Sequence, residues 1–266
     1  MTQTGTIRPT TVLISPAMSV PARVYRRLVE ALTGYGLEVR VVPRRGVDEG
    51  SVPPSRTADW SYEDEAADLA DAIAAARAEI PGARVLVVGH SLGAQLVAMV
   101  AQTSDHTPDG IVAIGASLPS FRHYGIRGVP LGAIGAAVAP VSAIVGHWPR
   151  RGFGGPTPRT LMRQWARMVL TGRAPFTLDR SIETPTLAVR LDGDEIVTDG
   201  AAAAFDAAFS PEAITHWRYD DAQCPAGGNT THLGWLRRPE IVGARIAAWW
   251  DAHTTVSPAV TESGTL

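Results

Sequence analysis

Gly89-His90-Ser91-Leu92-Gly93 is the stretch of this 266-residue chain whose residue types and spacing most directly suggest chemistry. A serine with glycine two residues away on each side fits a sharp strand-to-helix turn, because only small residues let the neighbouring backbone pass so closely. The apolar run Val85 to Val88 leads into it, and Ala94 to Ala101 continues as a helix. That context predicts an exposed Ser91 hydroxyl at a helix N-terminus, where backbone N–H groups favour a developing oxyanion. A hydroxyl is a poor nucleophile at neutral pH, so a base must take its proton and a third group must orient that base. His90 is badly placed for this, since adjacent residues on such a turn point apart. It is expected to pack beside the site, and the backbone N–H of Leu92 is one expected oxyanion donor.

Composition removes competing chemistries. All 24 basic side chains are arginine and none is lysine. Schiff-base chemistry, pyridoxal phosphate attachment and a phosphate loop ending in Gly-Lys-Ser/Thr are therefore excluded. No His/Asp/Glu cluster shows metal-ligand spacing, so neither a metal nor a cofactor is expected. A net charge of −2 offers no basic surface for nucleic acid. The single cysteine, Cys224, cannot form an internal disulfide, and Met1 to Thr10 lacks a charged start followed by an apolar stretch. A cytoplasmic location is the expectation.

Short β-branched runs alternating with helical patterns predict a parallel sheet with crossover helices. The strand candidates are Thr11 to Ser15, Leu37 to Val42, Arg84 to Val88, Ile111 to Ile114, Thr186 to Leu191 and Ile214 to Tyr219. Pro21 opens a helix with Val24, Leu28 and Leu32 on one stripe, stopping at Gly34. Ser61 caps a second helix with Asp64 three residues on, its buried stripe being Leu69, Ile73, Ala76 and Ile80. A last helix runs from about Pro239 to Trp250, followed by a polar tail expected to be disordered over residues 254–266.

The alternation fails between about Leu118 and Glu183, too long a stretch for a simple loop. Residues 118–183 are read as a lid inserted into a core made of residues 1–117 and 184–253. The lid holds one clear helix, Thr160 to Leu170, and an apolar run, Val129 to Gly146, broken by Pro130 and Pro140. That run is close to the roughly 20 residues a membrane span needs, but its prolines favour a buried or ligand-facing segment. No stable membrane insertion is expected.

The chain resembles the α/β hydrolases, in which the order along the chain is Ser, acid, His. The resemblance covers Thr11 to Trp250 and implies a mostly parallel central sheet with helices on both faces. It places the acid after the strand that follows the lid, where Asp192-Gly193-Asp194-Glu195-Ile196-Val197 stands. Asp194, with Ile196 and Val197 as the apolar pair, matches the family pattern. Leu191 stands where a glycine is usual, which keeps Asp192 as the alternative. The histidine follows the last strand, and His232 in Thr231-His232-Leu233-Gly234-Trp235 lies there, resembling the family's His-x-Gly run. The resemblance also implies a second oxyanion donor from the loop after the first strand, which by analogy is the N–H of Met18. Pro16-Ala17 occupies the place of a His-Gly pair common in relatives. The Ala-Met-x-Val run, Tyr25 and Pro43-Arg44-Arg45-Gly46 resemble bacterial sequences grouped with serine aminopeptidase-like and monoacylglycerol-lipase-like proteins.

Met18, His90, Trp148, Trp165 and Met168 are the candidates for an apolar pocket. The leading expectation is a serine hydrolase that cleaves a small-molecule ester or thioester through an acyl-enzyme. Thioesterase or acyltransferase work would use the same three residues. A non-catalytic ligand-binding protein on the same fold is the alternative from another class. An aminopeptidase would need an acidic group to hold a free amine, and the lid has only Asp179 and Glu183 at its end.

Overall fold

The computed structural model describes residues 8–149, 155–176 and 180–255. In chain order the elements are β1 (Thr10–Ser15), α1 (Arg26–Thr33), β2 (Glu38–Val41), α2 (Tyr62–Glu79), β3 (Arg84–His90) and α3 (Leu92–Thr103). There follow β4 (Gly110–Ile114), α4 (Gly128–Val145), β5 (His147–Trp148), β6 (Thr157–Pro158) and α5 (Arg159–Thr171). The chain closes with β7 (Thr186–Leu191), α6 (Asp199–Asp206), β8 (Ile214–Tyr219) and α7 (Glu240–Thr255).

Side chains alternate along a strand, so a strand buried on both faces must be apolar throughout. β3 shows this directly. Val85 and Val87 join one core cluster with α2, α3 and α5, whereas Leu86 and Val88 join the other with α1 and α7. The six-stranded sheet has the order β2-β1-β3-β4-β7-β8, and every pairing in it is parallel. This is the α/β hydrolase architecture that the strand pattern and the resemblance implied. In the β1–β3 register, Ser15 sits opposite Gly89, so the loop after β1 emerges beside the turn that follows β3.

Local signals explain most of the element ends. Ser61 and Asp64 form the reciprocal capping box that starts α2. Two details of the predicted stripes differ. The first helix opens as a 3₁₀ turn, Ala22–Tyr25, whose tighter winding moves the inward stripe by one residue. Tyr25, Leu28 and Leu32 are buried and Val24 is exposed. Ile80 is the residue that ends α2 and is only half-buried.

Between β4 and β7 the sheet pattern stops and a separate layer is built. Here α4 packs along α5, with Gly135 against Val169 and Leu170, and β5 pairs antiparallel with β6. α5 buries Leu161, Trp165, Met168 and Val169, the face its periodicity predicts. α4 corrects the sequence reading. The run around Val129 to Gly146 is a continuous helix that passes through Pro140, and most of its aliphatic side chains face outward instead of being buried. Proline early in a helix is tolerated because the first N–H groups have no partner in any case, which is why Pro130 does not stop it. The two-residue strands β5 and β6 are too short to leave a periodic signal. The expected disordered tail lies outside the described residues, apart from its first two, which complete α7.

Candidate active site

Ser91 sits between β3 and α3 with φ 54° and ψ −114°. A non-glycine residue in this conformation is strained, and strain of this kind persists only where the surroundings enforce it. The flanking glycines are part of that enforcement. A Cβ on Gly89 would stand 2.6 Å from Ala94 Cα, and one on Gly93 would collide with the Ser15 carbonyl oxygen. The Ser91 N–H donates to Ile114 O at 2.9 Å, fixing the turn against β4.

The loop between β8 and α7 brings His232 to the same place. Its Nδ1 lies 2.6 Å from Asp194 Oδ2, and both side chains are buried. The other Asp194 oxygen accepts the N–H groups of Ile196 at 2.8 Å and Val197 at 3.1 Å, so the carboxylate is held in the loop after β7. Gly115, at φ 55°, leaves room for the pair, since a Cβ there would stand 3.2 Å from the His232 ring. Gly193 N–H donates to Thr230 Oγ1 at 2.9 Å and ties the two loops together. Asn229 Oδ1 accepts from the Thr231 hydroxyl at 2.7 Å and occupies the space that a side chain at Gly234 would need. Asp192, the alternative acid, points elsewhere and pairs with Arg218 at 2.9 Å on the surface.

The loop after β1 is held at a single peptide unit, Pro16–Ala17. Its carbonyl accepts from the Arg44 guanidinium, and its N–H donates to the Tyr25 hydroxyl at 2.8 Å. Arg44 is in turn paired with Glu65, both buried, and Glu65 also accepts from Trp60 Nε1 at 2.8 Å. Two residues on, Ser19 has φ 57° and is, with Ser91, one of the two non-glycine residues at positive φ among those described. Both strained residues therefore flank the same site.

His90 joins these parts. Its Nδ1 is 2.8 Å from the Tyr25 hydroxyl and its Nε2 is 2.8 Å from the His232 carbonyl oxygen. Because the Tyr25 oxygen already accepts from Ala17, its proton goes to His90 Nδ1, which leaves Nε2–H to donate to His232 O. Burial, with the nearby His232 ring, holds the His90 imidazole well below its usual pKa of 6.5, so it stays neutral. Burial likewise raises the Tyr25 phenol above its ordinary value.

Ser91 and His232 line one cavity of about 380 Å³ together with Met18, Leu92 and Trp165. Val20, Leu131, Ile196, Val197 and Leu233 make its surface largely apolar, while Gln95, Ser117 and Tyr124 are its polar members. The Tyr124 phenol is pushed up to about 12 by burial and by the Asp194 charge. Three expected pocket residues are corrected. His90 is fully buried behind His232, and Trp148 and Met168 pack into the core on the α2/α3 side of the sheet. None of the three lines the cavity. Gln95 was legible in principle, because four residues after Ser91 is one helical turn along the same face. Tyr124 and Leu131 carry no local signal and arrive only through the packing of α4. Among the described residues no group of three or more His, Cys, Asp or Glu side chains is placed to hold a metal ion.

Fold and site together define the class, an α/β-hydrolase-fold serine hydrolase. The chain belongs to the family described as serine aminopeptidase, S33, whose model matches residues 8–140, half of its length. No curated protein matches it significantly. It is similar in fold to solved structures at low identity. One is from a study of LipS and LipT, two metagenome-derived lipolytic enzymes, at 17% identity and TM-score 0.68, covering 92% of this chain and 95% of that one. A pyrethroid hydrolase from Sphingobium faniae follows at 17% identity and TM-score 0.59, covering 92% and 98%. The esterase domain of a Rhodothermus marinus protein is 19% identical at TM-score 0.54, covering 92% and 88%.

Proposed function

We propose that this protein cleaves a carboxylic ester or thioester with an apolar acyl group, through a covalent acyl-enzyme on Ser91. The observation that carries the reading is the 2.6 Å contact between His232 Nδ1 and Asp194 Oδ2 beside a cavity that Ser91 and His232 share. Ser91 Oγ attacks the substrate carbonyl carbon while His232 Nε2 takes its proton. Asp194 orients the imidazole and stabilises its charged form. The tetrahedral oxyanion is held by the backbone N–H groups of Leu92 and Met18, each such donor being worth about 3–4 kcal/mol in the transition state. Collapse breaks the bond to the leaving oxygen or sulfur, which takes the proton from His232. Water, deprotonated by the same imidazole, then releases the acid and regenerates Ser91.

Residues 118–183 serve in this reading as the lid, contributing Tyr124, Leu131 and Trp165 to the cavity. No carboxylate is among the described lining residues, so a free α-amine would find no anionic partner there. That favours esters over peptides with a free amino end.

Labelling with a fluorophosphonate probe tests the nucleophile. Wild type should label and Ser91→Ala should not; an unlabelled wild type would remove the catalytic reading. A series of nitrophenyl esters then tests the pocket. Activity should rise with acyl length, and a flat or short-chain profile would exclude acyl binding in the cavity.

A further inference from the structure

α4 carries no charged residue from Gly128 to Val145, and its one polar side chain, Ser142, is buried. Such a helix is about 27 Å long. Its inward positions are mostly small, with Gly128, Gly135, Val138 and Ser142 buried. Val129, Ile134, Ile144 and Val145 face water. Val129 is 69% exposed and Ile144 73%, and Ile126 in the preceding turn is 88% exposed. By length and composition the segment Phe121–Val145 is apolar enough to cross a membrane, yet it packs lengthwise on α5. An apolar face held flat on the protein surface suits the plane of a bilayer interface rather than a span.

Charge identifies the occupant. From Gly110 to Leu178 the sequence has eight arginines and no Asp or Glu, a net +8. The rest of the chain has 16 arginines against 26 carboxylates, a net −10. The arginines frame α4. Arg122 and Arg127 are exposed at its start, Arg56 donates to the Ile144 carbonyl at its end, and Arg163 donates to Ala139 O at 3.4 Å along its flank. On one side Asp59 and Glu63 are taken by Arg159 with Thr160 and by Gln164 on α5, and on the other Arg127 shares a cavity with Asp192, Glu195 and Asp199.

We propose that the outer face of α4 is a docking surface for an anionic phospholipid bilayer, with Val129, Ile144 and Ile126 in the interfacial layer and the framing arginines on headgroup phosphates. A second copy of the chain would bring two segments of net +8 together, an arrangement that repels. Leu131 of the same helix lines the cavity, so α4 has the proposed docking face on one side and the cavity on the other. The proposal does not depend on the catalytic reading.

Co-sedimentation of the full chain with vesicles tests it. Binding to phosphatidylcholine vesicles containing phosphatidylglycerol should exceed binding to phosphatidylcholine alone by about tenfold or more, and should fall in concentrated salt. Val129→Asp with Ile144→Asp should abolish binding. Arg122→Gln with Arg127→Gln should remove the anionic preference. Neither pair should change hydrolysis of a soluble ester or the circular dichroism spectrum, and Ser91→Ala should bind as wild type does. Absent binding, equal binding to neutral vesicles, or indifference to either variant pair would overturn the proposal. So would loss of binding in Ser91→Ala, or a dimer in light scattering that the aspartate pair dissolves.

Discussion

Tyr25 and His90 share a buried hydrogen bond of 2.8 Å, and through it the loop after β1 is joined to the loop that carries His232. The Tyr25 hydroxyl holds the Ala17 N–H on one side and the His90 ring on the other, and His90 reaches on to the His232 carbonyl. Tyr25→Phe deletes one oxygen and leaves two buried groups without a partner, at a cost of about 1–3 kcal/mol. If the Pro16–Ala17 peptide aims the next N–H at the oxyanion, the loss falls on the transition state. Ester hydrolysis should then lose about 10–100-fold in kcat with KM within a few-fold, against about 10²–10³ for losing a whole donor. A rise in KM at unchanged kcat would assign Tyr25 to substrate binding instead.

His90 makes stability depend on pH in a predictable direction. Its folded-state pKa lies well below 6.5, so the folded protein leaves it neutral while the unfolded chain protonates it below that value. The stabilisation is present above about pH 6.5 and is lost as pH falls, by up to about 1.4 kcal/mol per pH unit. Urea midpoints measured on both sides of that pH should show a shallower acid slope in His90→Gln. Equal slopes in the two proteins would contradict a neutral His90.

The two candidate acids separate cleanly. Asp194→Asn should reduce ester hydrolysis by about 10³–10⁴-fold, since the imidazole loses its orienting charge. Asp192→Asn removes an exposed pair with Arg218, worth about 0–1 kcal/mol, and should leave activity within a few-fold. Steady-state rates on one nitrophenyl ester decide between them, and inactivation by Asp192→Asn alone would overturn the assignment.

Gly93→Ala should be among the most damaging single-methyl changes in the chain. The added carbon meets the Ser15 carbonyl, which is backbone and cannot rotate away. Destabilisation of about 3 kcal/mol, the upper end for overpacking, is expected in urea unfolding. Gly36→Ala is the comparison, because nothing lies within 4 Å there and only its φ of 78° opposes it.

The six sheet strands, the Ser91 turn and the α2 capping box were legible because each is written in neighbouring residues. A strand covered on both faces must be continuously apolar, and a turn this tight must have glycine at both flanks. Asp194 and His232 needed the family's pattern in addition: Ile196-Val197 favoured Asp194, while Leu191 in place of the usual glycine kept Asp192 as the alternative. The pocket was less legible. Of five expected lining residues, Met18 and Trp165 face the cavity and His90, Trp148 and Met168 do not. An apolar residue reads the same in a core as in a pocket.

By itself, then, the sequence determined the fold class, the strained serine and the arginine-only chemistry, because backbone sterics and side-chain alternation act over a few residues. The tertiary structure showed that Asp194, which the family pattern favoured, is the carboxylate against His232, and it alone decided that Tyr25, His90 and Arg44 hold one peptide of the β1 loop and that α4 turns Val129 and Ile144 outward. Those relationships join residues far apart in the chain, such as His90 and His232, and depend on how loops pack once the sheet has formed. Distances of that kind have no counterpart in local spacing.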